Sequence, residues 1–296
     1  MRIAAIVLET CRELLYRRTL LVYFGVVTLT HLFFLLALQT DVANGVIASM
    51  TIFGVGGQAA GNGMVFDSGA AAGPLGLSAA KFVGGVQLAV AFALYPAGIM
   101  LSVFATASLV PRMLEKGSID LLLSKPVSRP GLFVARWLGA LLVAGANLMY
   151  LVGGLGVILG VKTGVWNGGF LLSGLAMTVY FASLLGFLAL AGTLLRSTTL
   201  SIMVTAILFA VSLIVRLPHQ NAEWPALITG RAWRLAAQGL VEALYHALPR
   251  TFEFGQIVTA LILKQGGVSP GPVINTAIVG VAALALATYH FSRTDF

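Results

Sequence analysis

Long apolar runs with almost no charge divide this chain, and they constrain its fold more than any other feature. Six such runs cover residues 19–40, 82–110, 137–161, 168–195, 200–217 and 272–291. A helix of about 20 apolar residues crosses the hydrocarbon core of a bilayer. Only 9% of the 296 residues are charged, whereas soluble domains carry about 25%. The runs therefore predict an all-α integral membrane protein whose six transmembrane helices form a single transmembrane domain over residues 1–296.

The basic residues indicate how these spans are oriented. The first 18 residues, the loop after the second span and the turn at Arg196 hold Lys and Arg at higher density than the loops on the opposite side. Short loops rich in Lys and Arg stay in the cytoplasm. We therefore expect both termini in the cytoplasm and a multi-pass protein of the plasma (inner) membrane. This topology explains the net charge of +8, so the lipid bilayer is an expected partner and nucleic acid is not.

Three further segments lie outside the spans. Residues 1–18 mix charged residues with apolar residues at helical spacing, which predicts an interfacial helix on the cytoplasmic surface. Residues 41–81 are rich in glycine and predict an irregular external segment. Residues 218–267 predict two short external helices, and the second of these, at 251–264, is too short to span and is therefore interfacial or re-entrant.

The usual signatures of catalysis are missing from the sequence. It holds no HExxH, no GxSxG and no Walker A motif. The single cysteine, Cys11, rules out an intrachain disulfide and a CxxC metal pair. The acidic residues all fall in the predicted loops and tails, whereas ion-driven transporters generally need carboxylates within the membrane. His31 falls within the first span, where a packed and hydrogen-bonded role is the simpler interpretation.

Residues 111–136 form a charged stretch between two apolar runs. Arg112, Glu115, Lys116 and Asp120 lie here close to a leucine-rich side, and three prolines punctuate the segment. By itself this pattern fits a solvated loop that sets topology, or a helix through which a partner acts on the spans.

The same stretch resembles the cytoplasmic loop of type-2 ABC exporter permeases. Those proteins carry the pattern E-x-G-(S/T)-(I/L)-x-x-L-L-(S/T)-x-P-(V/I)-(S/R)-R before the third span. The matching residues here are Glu115, Gly117, Ser118, Leu122, Leu123, Ser124, Pro126, Val127, Ser128 and Arg129. Weaker similarities lie in the charged N-terminal segment and in the F-x-R-x-D-F tail at residues 291–296.

The resemblance implies roles for particular residues. It implies a cytoplasmic coupling helix that docks on a separate ATP-binding subunit. The residues assigned to this contact are Leu114, Glu115, Lys116, Gly117, Ser118, Ile119, Asp120, Lys125 and Arg129. The N-terminal interface helix would lie beside it, with Glu9, Arg12, Glu13 and Arg17 on its polar side.

The resemblance also implies the partners of the chain. ATP and Mg²⁺ would bind to the partner subunit, and a second permease copy would complete a homodimer or a heterodimer. The expected function is a permease that couples ATP hydrolysis by that subunit to export. A membrane scaffold that recruits a cytosolic partner through residues 111–136, without transport, stays open as an alternative.

Overall fold

Most of the described chain is helical, as predicted. The computed structural model describes residues 2–16, 18–43, 46–52, 78–114, 128–216, 230–267 and 269–293. These residues form ten α-helices and one β-hairpin. The helices are α1 (Arg2–Leu15), α2 (Arg18–Leu36), α3 (Ala79–Thr106), α4 (Leu109–Met113), α5 (Arg129–Thr163), α6 (Gly168–Leu195), α7 (Thr198–Ile214), α8 (Arg231–Ala247), α9 (Thr251–Ile262) and α10 (Gly271–Arg293). The strands are β1 (Leu38–Ala43) and β2 (Val46–Ile52).

Five helical stretches are long and apolar enough to cross a membrane. They are Arg18–Leu36, Ala79–Met113, Arg129–Thr163, Gly168–Leu195 and Gly271–Arg293. Each coincides with one of the six predicted spans. The remaining prediction, at residues 200–217, corresponds to α7, which is apolar but has only 17 residues. The count of six spans therefore stays a prediction.

The first span ends earlier than the sequence indicates. The apolar run extends over 19–40, but α2 stops at Leu36. Lys162, at the far end of α5, donates from Nζ to the carbonyl of Leu35 at 2.7 Å and also to the carbonyl of Leu38. The last carbonyls of a helix have no partner within it. Lys162 therefore caps α2 and holds the start of β1.

A short antiparallel hairpin follows α2. Its register runs from Leu38 opposite Ile52 to Ala43 opposite Val46, with an irregularity after Asp41. The prediction of an irregular segment is therefore wrong for the described residues 41–43 and 46–52. β-Branched residues such as Val42 favour an extended chain, and pairing of the two strands provides hydrogen-bond partners for the backbone. Residues 53–77, the rest of that glycine-rich prediction, lie outside the described residues.

Two of the long helices begin before the predicted starts of their spans. Helix α3 begins at Ala79 and α5 begins at Arg129, each after a serine whose hydroxyl accepts a hydrogen bond from the first turn. The prediction that the charged loop extends to Arg136 is wrong, because residues 129–136 belong to α5. Pro130 lies in the first turn of α5, where its missing N–H leaves no helical hydrogen bond unmade. It starts this helix and does not close the preceding segment.

Helix α6 lies at the centre of the bundle and packs most closely against α10. A Cβ atom on Gly280 of α10 would lie 2.5 Å from the Cα of Ser183 on α6. A Cβ on Gly186 would lie 2.6 Å from the carbonyl oxygen of Gly280. Such close backbone approach between membrane helices requires small residues at the contact.

Helices α8 and α9, the two predicted short external helices, have different environments. Helix α8 buries none of its residues, and Trp233 on it is 75% exposed. Helix α9 buries Phe254, Ile257, Val258 and Ile262. Their placement relative to a membrane stays a prediction.

Helix α9 lies alongside the first half of α6. At its start Thr251 Oγ1 is 2.5 Å from the hydroxyl of Tyr180 and also contacts Ser212, near the end of α7. At its end the carbonyl of Ile262 accepts a hydrogen bond from Asn167 at 2.8 Å. Tyr180 is about 18 Å along α6 from its first residue. Helix α9 thus covers the part of α6 that lies beyond the end of α7.

Candidate functional site

Helix α1 is docked on α5 by one buried stripe. Ile6, Thr10 and Leu14 recur every four residues, and all three are buried. Gly139 on α5 makes this contact possible, since a Cβ atom there would lie 2.7 Å from the Cβ of Thr10. Leu15, nine residues after Ile6, projects on the opposite side of the helix and is 56% exposed. The structure therefore confirms a helix at residues 2–15 but buries a narrower apolar face than the sequence suggests.

The polar side of α1 stays at the surface. Glu13 lies 3.6 Å from Arg136 of α5 in a partly exposed ion pair, which contributes about 0.2–1 kcal/mol. Glu9 and Arg12 are exposed. Arg17, the fourth predicted interface residue, lies outside the described residues. The side chains of Glu9 and Arg12 are thus accessible to a docking partner.

Cys11 lies at the edge of the contact between α1 and α5. Its Sγ is 3.6 Å from the carbonyl oxygen of Gly139. Burial raises the pKa of the Cys11 thiol above its ordinary value. The thiol therefore reports on whether α1 is docked.

The predicted coupling segment is described only at its two ends. Seven of its nine proposed contact residues lie outside the described residues: Glu115, Lys116, Gly117, Ser118, Ile119, Asp120 and Lys125. Leu114 follows α4, and Arg129 begins α5, with both side chains partly buried.

Both ends of that segment lie against one apolar cluster, which we call the junction cluster. Its members come from α1, α4, α5, α6 and α10. They are Ile6, Met113, Leu132, Phe133, Ala135, Ala189, Ala287 and Phe291. The rings of Phe133 and Phe291 are 5.1 Å apart, and Leu114 packs against the cluster. The helices that flank the segment 115–127, α4 and α5, thus share one apolar cluster with α1, α6 and α10.

A large cavity lies between α3, α6, α7 and α9, toward the other end of the bundle. We call it the apolar cavity; its volume is about 670 Å³. It is lined mainly by aromatic and aliphatic side chains, including Phe92, Tyr95, Pro96, Phe209, Leu213 and Phe252. This volume and lining are typical of a small-molecule site.

A smaller, polar cavity of about 390 Å³ adjoins the apolar cavity along α9. We call it the arginine cavity, because Arg216 and Arg250 line it together with Glu253. Arg250 Nη1 lies 3.5 Å from Glu253 Oε2, and both side chains are more than four-fifths buried. The hydroxyl of Tyr245 donates to Glu253 Oε1. Burial, and next the hydrogen bond to Glu253, raise the pKa of Tyr245, which keeps its phenol protonated as a donor.

The sequence analysis missed the arginine cavity. From the sequence, Arg216 falls at the end of a predicted span, and Arg250 and Glu253 fall in the predicted external connection. The spacing of three residues between Arg250 and Glu253 on a helical turn was the available signal. Nothing in the spacing of Arg216 indicated that it would meet them.

Histidine and acidic residues do not assemble into a metal site among the described residues. His31 is buried in α2, and its Nε2 is 3.1 Å from the carbonyl oxygen of Leu151 on α5. Its role as a packed, hydrogen-bonded residue is therefore confirmed.

Comparison with protein families identifies what kind of chain carries these features. Residues 6–296 match the family described as ABC-2 family transporter protein. The chain belongs to this family. Neither a curated protein nor a solved structure matches it significantly. As an ABC-2 protein with several apolar helices, it is a multi-pass membrane component of an ABC transporter.

Proposed function

We propose that this ABC-2 chain is the permease subunit of an ATP-driven exporter. A separate ATP-binding subunit would bind ATP and Mg²⁺ and act on residues 111–136. This division of labour is supported by the absence of a Walker A motif from the sequence and by membership of the ABC-2 family.

The junction cluster is the observation that carries this proposal. A soft loop would absorb the movement of a partner, whereas buried side chains in close contact transmit it. Met113 and Leu132 bring both ends of the segment 115–127 into the cluster, and Ile6 and Phe291 bring in the first and last helices. Movement of the ATP-binding subunit would thus tilt α1, α5 and α10 together.

The contacts of the bundle support a six-crossing topology with both termini in the cytoplasm. Ile6 of α1 and Phe291 of α10 lie in the same cluster, so the first and last helices meet at one end. Five long helices alone would leave the ends on opposite sides. Helix α7 supplies the sixth crossing. Because α7 is short, α9 packs against the part of α6 that lies beyond the end of α7. Two such permeases, identical or not, would line one pathway in the inner membrane.

Substitutions in the coupling segment test the proposal. In proteoliposomes that contain the chain and its ATP-binding subunit, we expect the wild-type permease to stimulate ATP hydrolysis. Glu115→Arg or Gly117→Pro is expected to abolish that stimulation while membrane insertion is unchanged, because each variant disturbs the contact through which the subunits communicate. The measurement is the ATPase rate with and without permease.

Arg231→Glu serves as the charge-reversal control. Arg231 is exposed on α8, a helix that contributes no residue to the junction cluster, and its variant should stimulate like the wild type. Undiminished stimulation by both loop variants would overturn the assignment of the coupling segment. ATP hydrolysis that is independent of the permease, with binding retained, would favour the scaffold.

A further inference from the structure

The apolar cavity and the arginine cavity are two parts of one site. Gln256 and Ala260, one turn apart on α9, line both of them. Phe252 lines the apolar cavity, and the guanidinium carbon of Arg216 lies 4.2 Å from the centre of its ring. A molecule in the apolar cavity would therefore have a cationic group at its edge.

The arginine cavity carries more positive charge than its own acid neutralises. Glu253 is already engaged at both oxygens, by Arg250 and by Tyr245. Nε and Nη1 of Arg216 are buried and have no hydrogen-bond partner among the described residues. Among the described residues that line the cavity, two guanidinium groups and one carboxylate leave one positive charge. A buried guanidinium without an anionic partner is costly, and a bound anion would offset that cost.

The neighbouring polar groups that the structure describes on α8 do not supply this anion. His246 Nδ1 lies 3.3 Å from Arg250 Nη2, and His246 Nε2 lies 3.0 Å from Glu242 Oε1. Glu242 is thus occupied on the exposed side of α8, where its side chain is more than half exposed. These contacts orient Arg250 and leave Arg216 as the cation that faces a ligand.

We propose that the transported substrate is an amphiphilic anion. Its carboxylate or phosphate head would bind Arg216 beside Arg250, and its alkyl or aromatic tail would fill the apolar cavity. Planar guanidinium groups suit both head groups, since they donate two parallel hydrogen bonds. Among the described residues of the cavity, a cationic head would find no free carboxylate, and a neutral head would leave Arg216 without an anionic partner. This inference rests on the proposed function, because it names the substrate class of the exporter.

Binding is measured first, without the ATP-binding subunit. The full-length chain is placed in nanodiscs of phosphatidylcholine and titrated with three probes that share one fluorescent sixteen-carbon chain. Their heads are a carboxylate, an alcohol and a trimethylammonium group. We expect the carboxylate probe to bind at least about 10-fold more tightly than the other two. Equal affinity for all three heads in the wild-type protein would overturn the proposal.

Variants then locate the head group. Arg216→Gln is expected to weaken binding of the carboxylate probe about 10- to 100-fold and to leave the alcohol probe unaffected. Arg216→Lys, which keeps the charge and loses the planar fork, should be intermediate. Arg231→Gln, on the exposed face of α8, should bind like the wild type. Equal losses for the carboxylate and alcohol probes in Arg216→Gln would indicate misfolding or a purely steric role, and would contradict the assignment.

A transport assay distinguishes a substrate from a lipid that is bound permanently. With the ATP-binding subunit present, the carboxylate probe should increase ATP hydrolysis and be exported from proteoliposomes. Displacement of the probe by phosphatidylglycerol, without stimulation or export of the probe, would show a structural lipid site and refute the substrate claim. If the permease never affects ATP hydrolysis, the proposed function fails, while the nanodisc titration still decides whether the site selects anions.

Discussion

At the scale of single residues, glycine and lysine positions determine how helices meet. Because Gly139 has no side chain, Thr10 of α1 can pack directly against the backbone of α5. Lys162 caps the end of α2 by donating to the carbonyl of Leu35. Neither role follows from the local sequence, because each residue lies more than 100 positions from its partner. The apolar run 19–40 predicts a span, but it does not show that the helix ends at Leu36, where Lys162 binds the backbone.

The Gly139 contact leads to a prediction that the protein's single cysteine can report. Gly139→Ala should displace α1, because the new Cβ would lie 2.7 Å from Thr10 Cβ and 3.1 Å from the carbonyl oxygen of Val7. Overpacking of this kind costs about 1–3 kcal/mol. Burial raises the pKa of Cys11, so undocking should lower it, increase the thiolate fraction near neutral pH and speed alkylation by maleimide several-fold.

Gly153→Ala is the matched control for this measurement. It lies on the same helix, and a Cβ there meets nothing within 4 Å. The change should leave the labelling rate of Cys11 unaltered and stabilise α5 slightly, since alanine is the better helix former. If the two variants are labelled at the same rate, the docking of α1 on Gly139 is wrong.

At the scale of elements, two helix pairs hold the bundle together: α1 with α5, and α6 with α10. The second pair depends on Gly186, Ser183 and Gly280, whose backbones are in direct contact. Small residues at a membrane-helix contact are detectable in a sequence. Which of the 34 glycines meet each other is a property of the tertiary structure.

The α6–α10 contact is tested by thermal unfolding. Gly280→Ala should lower the melting temperature in detergent by several degrees, because the added Cβ would lie 2.5 Å from a backbone atom that cannot rotate away. Gly25→Ala on α2 is the control, since a Cβ there contacts nothing within 4 Å. Equal melting temperatures would show that the two helices separate easily at this point.

At the scale of the whole molecule, the first and last helices meet, and the proposed coupling and substrate sites involve different parts of the bundle. The junction cluster joins the first and last helices at one end of the bundle. The apolar and arginine cavities lie against α9, toward the other end. Helices α5 and α6 connect these regions, so movement at one end can alter the other.

The six-crossing arrangement predicts which loops face the cytoplasm. In a Cys11→Ser background, Arg196→Cys in the turn between α6 and α7 should react with an impermeant maleimide only in inside-out vesicles. Trp166→Cys, at an exposed position in the turn between α5 and α6, should react only in intact cells. Arg293→Cys should behave like Arg196→Cys. Labelling of Arg196→Cys and Trp166→Cys from the same side would contradict the topology.

Sequence alone was sufficient for the membrane class, for the approximate places of five long apolar helices, for a helix in the first 18 residues and for the resemblance to ABC-2 permeases, because these depend on the composition of contiguous segments. Only the tertiary structure showed the hairpin after α2, the position of α9 beyond the end of α7, and the meeting of Arg216, Arg250 and Glu253. These features depend on contacts between residues far apart in the chain. Hydropathy gives the preference of each single segment for lipid or for water. An ion pair or a cavity between helices, in contrast, forms only when the helices have packed.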